Sequence, residues 1–287
     1  MTEKHTSYII TGPTASGKSG YAHQLAKQVG GVIINCDSVQ IYRGIENISA
    51  SPFAGHKITE KIDGVPYRLF SILPLDKQIS VADYLALARA EYDAAIASGR
   101  TPIFVGGTGY YVNAITDGIS PMPEITDENR RRAREMVAND LDGARKMLPP
   151  EFTATDPQRV ARAIEVFLQT SRHITEWQKL PRSGAITPTP YKILINPDMD
   201  ELRPRIASRI PRMLAGGAAT EAASIIDFDW SQSRAIGADQ LCAYIRGEIS
   251  REECIAKWTT KTNQYAKRQR TWFRTQFAAD EVINHAV

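Results

Sequence analysis

Short apolar runs alternate with helix-like segments over the first part of the chain. Three runs, 7–11, 31–35 and 101–105, are short and rich in branched residues, and we predict them to be buried strands. Between them, 18–29 and 81–97 are predicted to be helices, the second with apolar residues at helical spacing. Strands that alternate with helices predict a parallel sheet with helices on both faces.

The pattern changes after Gly118. Pro121 and Pro123 break the chain, and the two segments that follow, 127–146 and 157–169, are predicted to be polar, arginine-bearing helices with no strand between them. A proline-rich stretch then leads to one more apolar run, and the rest of the chain is predicted to be mainly helical. This change in the pattern of predicted elements indicates an all-helical insertion within an α/β protein.

The predicted domain boundaries follow from this change. An α/β core comprises 1–117 and 189–287, and it includes the strand predicted at 191–196 and the helical region predicted at 200–275. The inserted helical domain comprises 118–188.

Composition places the chain among ordinary globular proteins. Hydrophobic residues make up 43% and charged residues 23%, and the formal net charge is +3. These values exclude a highly charged disordered chain and a histone-like polycation, so a nucleic-acid surface must be local. The sequence has no apolar run long enough for a membrane span and no secretory leader, and Cys36, Cys242 and Cys254 lack the spacing of a disulfide framework or zinc site. We expect a cytoplasmic enzyme or ATPase.

The segment GPTASGKS, residues 12–19, fits the phosphate-binding pattern G-x-x-x-x-G-K-[ST]. Its glycines let backbone N–H groups face an anion, Lys18 adds a positive charge, Ser19 offers a hydroxyl to Mg²⁺, and the following helix adds its dipole. The sequence therefore predicts a phosphate or diphosphate site. The predicted fold class is α/β, a P-loop NTPase-like parallel sheet with an inserted all-helical domain.

A single acid directly follows a predicted strand. The run at 101–105 continues into Gly106, Gly107 and Thr108, where an NTPase would show an aspartate, whereas Asp37 follows the run at 31–35. Because parallel strands end at one edge of a sheet, Asp37, Thr108 and the phosphate loop should converge. One carboxylate beside diphosphate donors suits a base acting on an incoming nucleophile better than it suits hydrolysis. Asp37 and Thr108 could also cap the helices predicted after them.

The segment 257–274 carries six cations and no acid, with aromatic residues interleaved. This mixture is typical of a surface that binds single-stranded or looped RNA. Alternatively, Trp258, Tyr265 and Trp272, spaced by seven, form an inward-facing stripe of an amphipathic helix. Further arginine clusters lie at 130–134 and 159–162 in the predicted insertion, and Arg203, Arg205, Arg209 and Arg212 could neutralise a leaving diphosphate or form surface salt bridges.

Six motifs in order resemble those of the tRNA dimethylallyltransferases: GPTASGKS, NCDSVQIYRG, ISVADY, VGGTGYYVNAI, DPQRVARAIEV and YAKRQRTWFR. The resemblance implies transfer of a dimethylallyl group from dimethylallyl diphosphate to N6 of the adenine 3′-adjacent to the anticodon, at tRNA position 37, in tRNAs that read codons beginning with U. It implies the tRNA anticodon stem-loop and dimethylallyl diphosphate as partners and Mg²⁺ as cofactor. We expect no membrane association and a monomer.

The resemblance also implies roles for individual residues. Asp37 would be the general base, with Lys18, Thr108 and Arg209 as the other catalytic residues. The diphosphate would be bound by Gly12, Pro13, Thr14, Ala15, Ser16, Gly17, Lys18, Ser19 and Arg209, with Ser19 on the metal. The tRNA would be bound by Asp37, Ser38, Val39, Gln40, Thr108, Arg130, Gln158, Arg159, Val160, Ala161, Arg162, Lys267, Arg268, Gln269, Arg270, Trp272 and Arg274.

Three segments depart from the family pattern: 46–52, 67–71 and 236–240. They leave the phosphate loop and Asp37 intact but alter residues at which the family binds tRNA or donor. Two other functions fit the same phosphate loop. A small-molecule or nucleoside kinase would consume ATP, and an RNA-stimulated ATPase would release phosphate without modifying RNA.

Overall fold

The structure is a computed structural model that describes residues 6–228 and 235–287. Among these residues, seven strands form one sheet in the order β3-β4-β2-β5-β1-β6-β7. The strands are β1 (Tyr8–Thr11), β2 (Gly31–Asn35), β3 (Lys61–Ile62), β4 (Val65–Arg68), β5 (Thr101–Gly106), β6 (Tyr191–Ile195) and β7 (Glu281–Ile283). The β3–β4 pair is antiparallel, and the other pairs are parallel.

The helices follow in chain order. They are α1 (Lys18–Val29), α2 (Val81–Ala97), α3 (Gly109–Asp117), α4 (Asp127–Asn139), α5 (Leu141–Lys146), α6 (Pro157–Thr170), α7 (Ile174–Gln178), α8 (Met199–Met213), α9 (Ala219–Ser224), α10 (Ala238–Ile245) and α11 (Arg251–Gln276). A π-helical turn, Leu214–Ala218, joins α8 to α9. None of the described helices is long and apolar enough to span a membrane.

The predicted α/β fold class is confirmed, and α1, β2 and α2 have the bounds that the sequence predicts. The helix predicted over 127–146 is wrong as a single element, because it divides into α4 and α5. At the break, the Asp140 side chain accepts a hydrogen bond from the Gly143 N–H, 2.8 Å, and so caps the start of α5.

The chain folds into two compact units. One comprises Met1–Thr116 and Ile186–Val287, and the other comprises Asp117–Ala185. In the first unit, apolar residues of the sheet pack with α1, and α8, α10 and α11 pack around Trp258, which is 1% exposed. The second unit has a core of its own between α4, α5 and α6.

The order of the strands determines where loops can meet. The parallel strands β1, β2, β5 and β6 lie side by side, so their carboxyl ends lie at one edge of the sheet. The phosphate loop follows β1, Asp37 follows β2, and Thr108 follows β5. Such an edge is where ligands bind in open α/β sheets.

Candidate active site

The phosphate loop, residues 12–17, connects β1 to α1. Gly17 precedes α1 in a left-handed conformation with φ of 92°, and no side chain of the described residues caps the helix. The first N–H groups of α1 are therefore available to an anion, and the helix dipole adds a partial positive charge. The amino end of α1 is suited to bind a phosphate group.

The last residues of the sequence lie against this loop. After β7, the Val287 N–H donates to the Ser16 carbonyl oxygen, 3.1 Å. Arg205 of α8 donates to the carbonyl oxygens of Ala15, 3.3 Å, and Val287, 3.0 Å. A Cβ atom at Gly17 would overlap the Val287 carbonyl oxygen. The loop is thus held in place by a segment far away in the sequence.

Replacing Gly17 with alanine should destabilise the protein and weaken diphosphate binding. Its left-handed φ costs an L-residue about 1–3 kcal/mol when held there, and the added methyl group meets Val287. Thermal unfolding measures the loss of stability. Gly20→Ala is the matched control, because Gly20 lies in α1 and a Cβ atom added there would have no neighbour within 4 Å. An equal unfolding temperature for the two variants would contradict the role given to Gly17.

Lys18 is the first residue of α1 and lines a cavity of the first unit. Its ammonium group donates to the Pro13 carbonyl oxygen, 3.3 Å. Burial lowers the pKa of Lys18 to about 8, the nearby Asp37 carboxylate opposes this shift, and Arg209 adds to it. The three charged groups are therefore close enough to affect one another, and an anion bound among them would favour the charged lysine.

Asp37 is held at the edge of the sheet by its own backbone and by Asn35. The Asp37 N–H donates to Asn35 Oδ1, 2.9 Å, and Asn35 Nδ2 donates to the Asp37 carbonyl oxygen, 3.0 Å. One carboxylate oxygen of Asp37 accepts from the N–H groups of Val39, 2.9 Å, and Gln40, 3.4 Å. The capping interaction therefore exists, on a turn rather than a helix, and the side chain also lines the cavity.

Asn35 was not predicted as a site residue. It is fully buried at the end of β2, and its position two residues before a strand-end acid is the sequence signal that could have found it.

The Thr108 hydroxyl is hydrogen-bonded to Ser38. It accepts from the Ser38 N–H, 3.0 Å, and donates to the Ser38 hydroxyl, 3.2 Å. The loops after β2 and β5 are joined by these two bonds. At the start of α3, the Thr108 carbonyl oxygen accepts from the N–H groups of Tyr111, 2.9 Å, and Val112, 3.1 Å.

Gln269 of α11 is buried between two loops. Its Oε1 accepts from the Thr14 N–H, 2.8 Å, and its Nε2 donates to the Gly107 carbonyl oxygen, 2.9 Å. The family resemblance groups Gln269 with residues that bind tRNA. In the structure, Gln269 lies on the buried side of α11. Its side chain joins the phosphate loop to the loop after β5.

Arg209 of α8 reaches across the cavity. One of its terminal nitrogens donates to Thr14 Oγ1, 3.3 Å, and the other donates to the Ala50 carbonyl oxygen, 3.4 Å. Burial and the neighbouring Arg212 lower the pKa of Arg209, and Asp37 opposes the shift. A partly buried guanidinium beside the phosphate loop can pair with a diphosphate.

Lys18, Asp37, Arg209 and Gln269 line one cavity of about 590 Å³, whereas Thr108 is not part of its lining. Its polar side includes residues of the phosphate loop, Lys18, Ser19, Asp37, Gln40 and Arg209. Its apolar lining includes Ile206, Ile210, Met213, Ile236 and Trp258. Two of the three segments that depart from the family pattern, 46–52 and 236–240, contribute residues to the cavity. A cavity with both linings can take a ligand that carries an anionic group and a short apolar chain.

The remaining predicted tRNA-binding residues lie on α11 and in the second unit. On α11, Lys267, Arg268 and Arg274 are exposed, whereas Arg270 and Trp272 are partly buried and Trp258 is buried. The helix therefore has a buried aromatic residue, Trp258, and an exposed cationic face.

In the second unit, Gln158 and Arg159 are exposed at the start of α6, and Arg162 pairs with Glu165, 3.1 Å. Arg130 of α4 lies 3.5 Å from Asp127. Val160 and Ala161 were predicted with them, but they are buried in the core of this unit. Their side chains support the helix and are not available to a ligand.

Comparison with known proteins gives consistent matches along the chain. The family model of IPP transferase matches residues 40–276, and that of isopentenyl transferase matches residues 5–62. The chain is 38% identical to the tRNA dimethylallyltransferase of Rhizobium etli, with 93% of each chain covered. It is 36% identical to the tRNA dimethylallyltransferase of Paramagnetospirillum magneticum, over 97% of this chain and 91% of that one.

Solved structures agree with these matches. The full-length tRNA isopentenylpyrophosphate transferase of Bacillus halodurans has a TM-score of 0.67 and 29% identity, over 98% of this chain and 91% of that chain. A eukaryotic dimethylallyltransferase acting on tRNA, 23% identical, has the same fold with a TM-score of 0.68, over 94% of this chain and 70% of that chain. By its sequence matches over nearly its whole length, this chain belongs to the IPP transferase family.

Proposed function

We propose that this protein transfers a dimethylallyl group from dimethylallyl diphosphate to N6 of the adenine 3′-adjacent to the anticodon, in tRNAs that read codons beginning with U. One observation carries the proposal: Asp37, Lys18 and Arg209 line the same cavity as the phosphate loop. A carboxylate that shares a cavity with the phosphate loop, in a chain of this family, supports the proposal.

The proposed reaction exchanges one bond for another. The bond from N6 to the allylic carbon forms, the bond from that carbon to the diphosphate oxygen breaks, and the electron pair leaves with the diphosphate. Asp37 accepts the proton that the amine loses. The loop N–H groups, Lys18 and Arg209 stabilise the charge on the leaving group. The target adenine is held at residues 37–40, outside its stack in the anticodon loop.

Mg²⁺ fits the proposed donor site. The Ser19 hydroxyl lines the cavity next to Lys18, and Mg²⁺ in proteins is commonly held by few side chains together with substrate phosphates and water. Ser19 and the diphosphate would hold the ion, which would neutralise part of the diphosphate charge.

The exposed cations of α11 are proposed to contact the tRNA backbone, and so are Arg130, Gln158, Arg159 and Arg162 of the second unit. The active form is proposed to be a monomer. Lys267 and Arg268 are the clearest test of this interface, because both are exposed.

Replacing Lys267 and Arg268 together with alanine should weaken tRNA binding without changing kcat at saturating tRNA. The plot of log Kd against log salt should become shallower by about 1 for every phosphate that the variant no longer binds. Filter binding or fluorescence anisotropy over a salt series measures the slope. Arg100→Ala is the control, because Arg100 precedes β5 at the opposite edge of the sheet from the site. An unchanged slope in the double variant would remove α11 from the interface.

Labelled dimethylallyl diphosphate and unmodified tRNA test the proposed function directly. Label should appear in the tRNA, on the adenine beside the anticodon, and free diphosphate should be released in equal amount. ATP is supplied in a second reaction. Consumption of ATP, with no label transferred in the first reaction, would favour a kinase or an RNA-stimulated ATPase and overturn the proposal.

A further inference from the structure

Glu221, the third residue of α9, holds a loop that is 174 positions away in the sequence. One of its carboxylate oxygens accepts from the Asn47 backbone N–H, 2.8 Å, and from Asn47 Nδ2, 2.7 Å. The other accepts from the Ile48 N–H, 3.0 Å. The carboxylate thus satisfies three donors in the loop formed by residues 44–50.

Glu221 is partly buried, so its charge depends on these hydrogen bonds for stabilisation. Burial raises the pKa of Glu221, the three N–H donors oppose the shift, and the nearby Glu46 adds to it. A partly buried carboxylate is stabilised mainly by the groups that donate to it, and those groups in turn depend on it. The position of the 44–50 loop is therefore coupled to Glu221.

The 44–50 loop also contacts two side chains that line the cavity, Arg209 and Gln40. Asn47, Ile48, Ser49 and Ala50 line the cavity. The Ala50 carbonyl oxygen accepts from Arg209, 3.4 Å, and from Gln40 Nε2, 3.2 Å. Arg209 lies on α8, and the chain continues from α8 through the π-helical turn into α9. The loop is thus attached to this helical stretch at two points, Arg209 and Glu221.

We propose that Glu221 is a positioning residue that fixes the 44–50 loop and, through the Ala50 carbonyl, the orientation of Arg209 toward the diphosphate of the donor. Arg209 shares its guanidinium between Thr14 of the phosphate loop and Ala50. Movement of the loop would release one of these two contacts. The inference rests on the proposed function, because it assigns the diphosphate to the phosphate loop and Arg209.

Glu221→Ala should raise KM for dimethylallyl diphosphate, with kcat/KM for the donor falling by up to about 100-fold. KM for tRNA should rise less, through Gln40, whose amide donates to the Ser49 and Ala50 carbonyl oxygens. Glu221→Gln should have a smaller effect, since its amide oxygen can still accept from Asn47 while its NH₂ group faces the Ile48 N–H. Steady-state kinetics with each substrate varied, and calorimetric binding of inorganic diphosphate, measure both variants.

Glu248→Gln is the matched control, because Glu248 is exposed. If Glu221→Ala does not fold, Glu221→Gln decides the question. Unchanged donor KM and unchanged diphosphate affinity in a folded Glu221 variant would overturn the inference, and so would a rise confined to the tRNA KM. If the unmodified protein transfers no dimethylallyl group, the proposed function fails, whereas diphosphate binding by the variants still tests Glu221.

Discussion

Replacing Asp37 with asparagine is expected to lower kcat for dimethylallyl transfer by about 10²–10⁴-fold, the usual contribution of a general base. An amide oxygen can still accept from the N–H groups of Val39 and Gln40, so the turn after β2 keeps its cap. The variant therefore removes the proton acceptor and keeps the local structure. Single-turnover transfer with labelled donor and saturating tRNA measures the loss.

The matched comparison is Asp37→Ala, which removes both the base and the cap. The two variants should lose kcat to a similar degree, and the alanine variant should also unfold at lower temperature, because each lost hydrogen bond costs about 0.5–1.5 kcal/mol. Binding of tRNA to Asp37→Asn should stay close to that of the unmodified protein. Turnover near the original level in Asp37→Asn would exclude Asp37 as the base.

The central elements of the fold could be predicted because their signals are local. The helix α2 begins at a Ser80 capping box and ends beside Gly99, and the strand β2 is a short apolar run after Gly30. The strands β3 and β7 could not be predicted in this way. They have two and three residues, and β7 exists through hydrogen bonds to β6, so its signal lies in a distant partner.

The residues proposed to bind diphosphate or accept a proton could be predicted because their signals are also local. A motif of eight residues identifies Lys18 and Ser19, and the end of β2 identifies Asp37. The side of a helix on which a residue lies could not be predicted from its neighbours in the sequence. Gln269 lies among exposed cations, but its position on α11 turns it inward, as it does for Val160 on α6. Glu221 gave no local signal, because its partners lie in the 44–50 loop.

The activity of the free enzyme toward the donor should fall as pH rises above about 8, because burial lowers the pKa of Lys18 to about 8. The log of kcat/KM for dimethylallyl diphosphate reports the free enzyme, so it should decline by about one for each pH unit beyond that pKa. Lys18→Met should lack this decline and should lose about 10²–10³-fold at pH 7, as expected when a donor to a developing anion is removed.

The contribution of Lys18 to the free energy of unfolding should rise with pH, whereas kcat/KM for the donor falls. Between pH of about 8 and the ordinary lysine pKa of 10.5, the folded protein holds fewer protons at Lys18 than the unfolded chain does, so the contribution of Lys18 to the free energy of unfolding rises with pH. Chemical denaturation of the donor-free protein and of Lys18→Met over this range isolates that contribution. Bound diphosphate should reduce the change of this contribution with pH, because an anion beside Lys18 raises its pKa in the folded protein. A decline in kcat/KM that persists in Lys18→Met would assign the titration to another group.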